Sequence, residues 1–216
     1  MKPMKFENVY FFNGTAYAGK STMVRRLAEK YGGIECGENY HDALLPELDA
    51  AEFPGLAYSR DLQDWHDFVR RTPEEYEAWI DRVSKECERL ELRILEGLPG
   101  GDRPVFVDTN ISIETLREVS DENHVLIMLA DPDVSVRRFF ERPDKEKQFL
   151  YRLMLEEPDP EASLQNFRKC LERINSRARY DAFLHSGFKV IQRDDSRTIE
   201  QTLALVEEAL GLGGRS

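Results

Sequence analysis

The segment Gly14-Thr15-Ala16-Tyr17-Ala18-Gly19-Lys20-Ser21 constrains this chain more than any other stretch. It follows the bulky apolar run Val9-Tyr10-Phe11-Phe12. It precedes a helical pattern from about Lys20 to Tyr31, in which Met23, Val24, Leu27, Ala28 and Tyr31 share one face. A short continuous apolar run reads as a strand buried on both faces, and such strands belong to parallel sheets covered by helices. Gly14 and Gly19 open backbone conformations that are closed to other residues. The connection can therefore wrap with its N–H groups turned inward, where the following helix N-terminus adds partial positive charge.

The rest of the chain repeats the alternation of short apolar runs and helical patterns, without internal repeats or low-complexity tracts. Ile34–Cys36 reads as a short second strand, Val105-Phe106-Val107 as a third, Val125–Leu129 as a fourth and Phe188–Ile191 as a last. Thr72-Pro73-Glu74-Glu75 is a capping box with proline at the first helical position. The stripe Tyr76, Trp79, Ile80, Val83, Cys87, Leu90 and Ile94 follows it, and Pro99-Gly100-Gly101 closes that helix. Charged helices are expected from about Val134 into the 150s and from about Pro160 to Phe183, with a final helix from about Thr198. The whole chain, 1–216, reads as one domain. It carries a helical excursion at about 38–100 and a lid-like segment at about 135–155.

The net charge of −11 and the pI near 5.0 weigh against a nucleic-acid coat or a polybasic membrane binder, both of which need positive fields. Three scattered cysteines, Cys36, Cys87 and Cys170, form no CxxC pair. They read as reduced thiols, which points to a cytoplasmic protein. The apolar run near the start is too short and interrupted for a signal peptide, and no stretch approaches the roughly 20 apolar residues of a spanning helix.

Residues 14–21 match the full G-x-x-x-x-G-K-[ST] pattern, in the strand–loop–helix setting that its chemistry requires. Loop amides from Gly14 through Thr15, Ala16, Tyr17, Ala18 and Gly19 to Lys20, Ser21 and the adjoining Thr22 are candidate phosphate contacts. Lys20 would neutralise the β- and γ-phosphates of ATP, and Ser21 would hold Mg²⁺. Asp108 ends an apolar strand, as a carboxylate near that Mg²⁺ should. Asp131 is its competitor, although the Asp131-Pro132 pair reads as a turn and helix start.

On these residues the chain resembles the small P-loop kinases, the group that holds nucleoside monophosphate, shikimate, gluconate and deoxynucleoside kinases. In layout the likeness runs through Phe6–Tyr31, Arg103–Asn110, His124–Arg142 and Arg177–Leu210. Tyr17 departs from it, standing where many members have a further glycine. The resemblance implies an α/β, three-layer P-loop NTPase fold, with a five-stranded parallel sheet in the order 2-3-1-4-5. It also implies an arginine-bearing lid after the fourth strand. That lid falls on the basic cluster Arg137, Arg138, Arg142, Lys145, Lys147 and Arg152, in which Arg138 and Arg142 are four residues apart. The loop after the fifth strand would pack on adenine, at Asp195 and Ser196.

For the acceptor side, the resemblance places the catalytic base just past the second strand, where Glu38 and Asp42 are both candidates. His41 lies between them. Trp65 and Phe68 read either as a surface that stacks on a base or ring, with Arg60, Arg70 or Arg71 binding an acceptor's negative group, or as an ordinary helix face. Thr109 and Asn110 are expected to add a polar edge to the cleft. A second basic row, Lys169, Arg173 and Arg177, is expected either across the cleft from the phosphates or on the surface. The expected activity is transfer of the γ-phosphate of Mg-ATP to a small acceptor, by Lys20, Asp108, Arg138, Arg142 and one of the two carboxylates. The rival is an ATP-binding interaction module with little catalysis. Neither reading involves a membrane, and the acidic balance disfavours a nucleic-acid acceptor. Acceptor identity and oligomeric state are open.

Overall fold

Alternation along each strand decides which side chains meet which layer, because successive residues point to opposite faces of a sheet. A computed structural model describes residues 5–98, 101–141 and 145–213. Its five strands are β1 (Val9–Gly14), β2 (Ile34–Cys36), β3 (Val105–Asp108), β4 (Val125–Leu129) and β5 (Lys189–Gln192). They form one all-parallel sheet in the order β2-β3-β1-β4-β5. This is the order expected. Phe11 stands beside Val107 and Val125 in register, and Gly14 beside Met128.

Val9, Phe11, Val105, Val107, Val125, Ile127 and Leu129 point to one face. There they pack against the end of the long helix α4 (Pro73–Gly97), against α5 (Ile113–Val119) and against α9 (Arg177–Leu184). Tyr10, Phe12, Phe106, Leu126 and Met128 point to the other face. They meet α1 (Lys20–Tyr31) and α10 (Ile199–Leu210) through Met23, Val24, Leu27 and Val206. Each fully buried large side chain contributes about 1.5–3 kcal/mol.

Above the carboxyl ends of the strands lies a helical layer with a separate core. It comprises α2 (Pro54–Asp61), the short α3 (His66–Val69), the first half of α4, α6 (Pro132–Glu141), α7 (Lys145–Glu156) and α8 (Pro160–Ile174). Phe68, Tyr76, Phe139, Met154, Phe167 and Cys170 fill its centre. Trp65 and Phe68 thus form a packed helix face. At 25 residues, about 37 Å long, α4 runs through both layers: Tyr76 and Trp79 lie in the upper core, Leu92 and Leu95 under the sheet. The Thr72–Glu75 capping box with Pro73 is formed as expected.

One expectation needs correction. The helix expected from Pro160 to Phe183 is broken, because Asn175 leaves the helical conformation and the Ser176 side chain accepts from the Arg179 N–H to start α9. The excursion is helical, as expected: a 3₁₀ segment (Tyr40–Glu47), α2 and α3 precede α4. Arg142, Pro99 and Gly100 lie outside the described residues. Among the described residues, no helix is long and apolar enough to cross a membrane.

Candidate active site

The turn from β1 into α1 is locked from behind. Gly14 has φ +126°, and a Cβ there would lie 2.0 Å from the Met128 carbonyl oxygen. The Thr15 hydroxyl donates to the Ala130 carbonyl (3.1 Å) and accepts from the Ala130 N–H (2.6 Å). Ala18 is buried in the core beside α1. Gly14, Thr15 and Ala18 therefore shape the loop from outside the cleft, whereas Ala16, Tyr17, Gly19, Lys20, Ser21 and Thr22 line a cleft of about 450 Å³. Tyr17 adopts φ +62°, in the left-handed region that favours glycine, and its ring lies beneath the Lys147 ammonium at 5.2 Å. Among the described residues, the N–H groups of Ala16, Ala18 and Gly19 find no acceptor. The first-turn amides of α1 add further donors there by helix geometry. Such a loop suits an anion.

Lys20 and Ser21 line the cleft, and the buried Asp108 comes against both without lining it itself. The Ser21 hydroxyl donates to Asp108 Oδ2 at 2.7 Å. The Lys20 ammonium donates to the Thr15 carbonyl at 3.1 Å and lies 3.8 Å from Asp108 Oδ1. Burial pushes the Asp108 carboxyl above its usual range; Lys20 and Ser21 oppose the shift, while Glu38 and Glu91 add to it. The folded chain therefore binds the Asp108 proton more tightly than the unfolded chain does. Stability contributed at this position is greatest below the ordinary aspartate range and falls as pH rises toward the raised value. Asp108→Asn is accordingly expected to melt higher than the wild type at neutral pH, with the gap closing in acid. Thermal unfolding across pH checks this, and an unchanged gap would contradict it.

Glu38 lines the same cleft, as do Arg138, Glu141, Lys147 and Arg193. Asp42 does not: it is exposed and lies 3.6 Å from His41. Asp195 sits at the edge, 2.7 Å from Arg193 and 3.5 Å from Arg138; Arg193 chiefly holds its carboxyl below the usual range. Asp131 is exposed and accepts from the Asp133 N–H at 2.9 Å, as a helix start should. Ser135 of α6 donates to the Ala16 carbonyl at 3.1 Å, which ties the helical layer to the loop.

One expectation differs from what is found. Thr109 and Asn110 do not edge the cleft freely. The Thr109 hydroxyl, the Asn110 amide and the Asn110 backbone N–H all donate to Glu91, which is fully buried on α4. Arg173 does not face the loop, because Glu74 and Glu77 of α4 hold it at 2.7 and 2.5 Å. Arg177 pairs with Asp181 within its own helix. Of the two positions open to the basic row, Arg173 and Arg177 take the exposed one, each held by a carboxylate. Arg193 also lines the cleft, and no motif marks it. Its one signal is a cation directly after the last strand, where it donates to the Tyr17 carbonyl.

Comparison with known proteins found no family model that matches this chain and no curated protein similar to it in sequence.

Proposed function

We propose that this chain is a kinase that moves the γ-phosphate of Mg-ATP to a small hydroxyl- or phosphate-bearing molecule. The observation that carries this reading is the joining of Lys20, Ser21 and Asp108 at a loop in which, among the described residues, the N–H groups of Ala16, Ala18 and Gly19 find no acceptor, at the carboxyl ends of parallel strands. The loop amides and Lys20 hold the phosphates. Arg138, Lys147 and Arg193 bring positive charge from the opposite wall, where guanidinium forks pair with phosphate oxygens. Glu38, on the acceptor side of the same cleft, accepts the proton of the acceptor hydroxyl.

The donor set fits Mg²⁺, a hard cation that takes one or two protein oxygens and completes its shell with water and phosphate. Ser21 and Asp108 are those oxygens. When bound, the ion supplies charge neutralisation on the phosphates. Three free, buried cysteines agree with a reducing, cytoplasmic setting.

The test is ADP release from ATP in the presence of pools of nucleosides, nucleotides and sugar acids. Release stimulated by one pool supports the kinase. Tight ATP binding without turnover in any pool would replace it with a nucleotide-binding module.

A further inference from the structure

Arg71 ends the connection between α3 and α4, remote in sequence from the loop and strand ends of the cleft. Its guanidinium carbon lies 4.1, 5.1 and 5.2 Å from the ring centres of Tyr58, Phe68 and Trp79. Its Nη1 is fully buried and has no hydrogen-bond partner. Among the described residues, no carboxylate comes within ion-pair distance of it. Three aromatic faces compensate part of the desolvation of a cation, but they accept none of its N–H bonds in the plane of the fork. A buried guanidinium without an acceptor is costly.

The same side chain lines a cavity of about 550 Å³ between α2 and α4, which shares no lining residue with the loop cleft. Tyr58 and Trp79 give this cavity apolar wall, and Arg82, an exposed residue without an ion pair among the described residues, supplies a second cation. The carboxylates on its rim are committed elsewhere. Glu75 closes the capping box with Thr72, and Asp67 faces Arg70 at 3.8 Å. The backbone around Arg71 is fixed, because its carbonyl accepts from the Asn166 amide at 2.7 Å and the Cys170 thiol at 3.7 Å. Arg70 in turn pairs with Glu157 at 2.9 Å.

We propose that this cavity is a binding site for a small organic oxyanion, a phosphate or carboxylate on a flat or apolar body. The charged group meets the guanidinium of Arg71, where it lines the cavity, and the charge of Arg82. The body lies against Tyr58 and Trp79. The site stands independently of the kinase reading, since none of its residues belongs to the cleft.

The full chain carrying Lys20→Ala, which weakens anion binding in the cleft, is titrated calorimetrically with phenyl phosphate, benzoate and inorganic phosphate. Saturable binding of phenyl phosphate or benzoate is expected, at least tenfold tighter than that of inorganic phosphate. Whichever of the two binds tighter assigns the anion as phosphate or carboxylate. Adding Arg71→Gln is expected to weaken binding at least tenfold. Arg82→Gln, at an exposed position that leaves the fold intact, is expected to weaken it severalfold, so a misfolded Arg71 variant does not leave the question open. Equal binding by the parent and the Arg82 variant, or no saturation by any of the three probes, overturns the site.

Discussion

Lys20→Ala is expected to fold and to lose phosphoryl transfer by roughly 10²–10³-fold, the usual cost of removing one preorganised charge-stabilising group. The ammonium lies at the mouth of the loop, fixed by the Thr15 carbonyl and facing Asp108. Its charge is therefore in place before a phosphate arrives, so little reorganisation opposes its use. The loss should appear in kcat more than in KM, because negative charge builds on the transferring group only as the reaction proceeds. Lys20 is only partly buried and takes no part in either sheet core, so the melting temperature should change little. Single-turnover kinetics with the acceptor found by screening gives the answer. Transfer at the wild-type rate would remove the kinase reading.

Gly14→Ala should be the most damaging small substitution in the chain, at about 3 kcal/mol or more of stability. Two effects add. The residue has φ +126°, which alanine resists, and its new methyl would stand 2.0 Å from the Met128 carbonyl oxygen. That oxygen cannot retreat, since it belongs to β4, held between β1 and β5, and accepts from the Thr15 N–H at 3.1 Å. Gly19→Ala provides the control. It too has a positive φ, +96°, but its methyl would meet only the end of the Met128 side chain, at 3.9 Å. Backbone strain alone costs about 1–3 kcal/mol. Denaturant unfolding of both variants should rank Gly14→Ala well below Gly19→Ala; equal midpoints would deny the close approach.

The parts of the fold that were legible in the sequence are those with local causes. The strands announce themselves as apolar runs, α4 by its capping box and the loop by two glycines around a fixed spacing. The helical layer was not legible, because its centre joins Phe68, Phe139 and Phe167, residues scattered over a hundred positions whose pairing no periodicity encodes. The site divides along the same line. Lys20, Ser21 and Asp108 followed from motif and strand end, and Glu38 from its place after β2. Arg193 and the capture of Thr109 and Asn110 by Glu91 depend on which helix lies over which strand. The basic row from Lys169 to Arg177 shows the reverse hazard: charge spacing alone does not reveal the α4 carboxylates that hold Arg173 or the Asp181 that holds Arg177.

The uninterrupted course of α4 has a mechanical meaning. Glu91 grips the turn after Asp108 toward one end of the rod, while its other end starts two residues beyond Arg71. A stiff shaft clamped at both places has no joint between them. Any small pivot imposed at the upper end must be delivered, as leverage, to the carboxylate at the lower one.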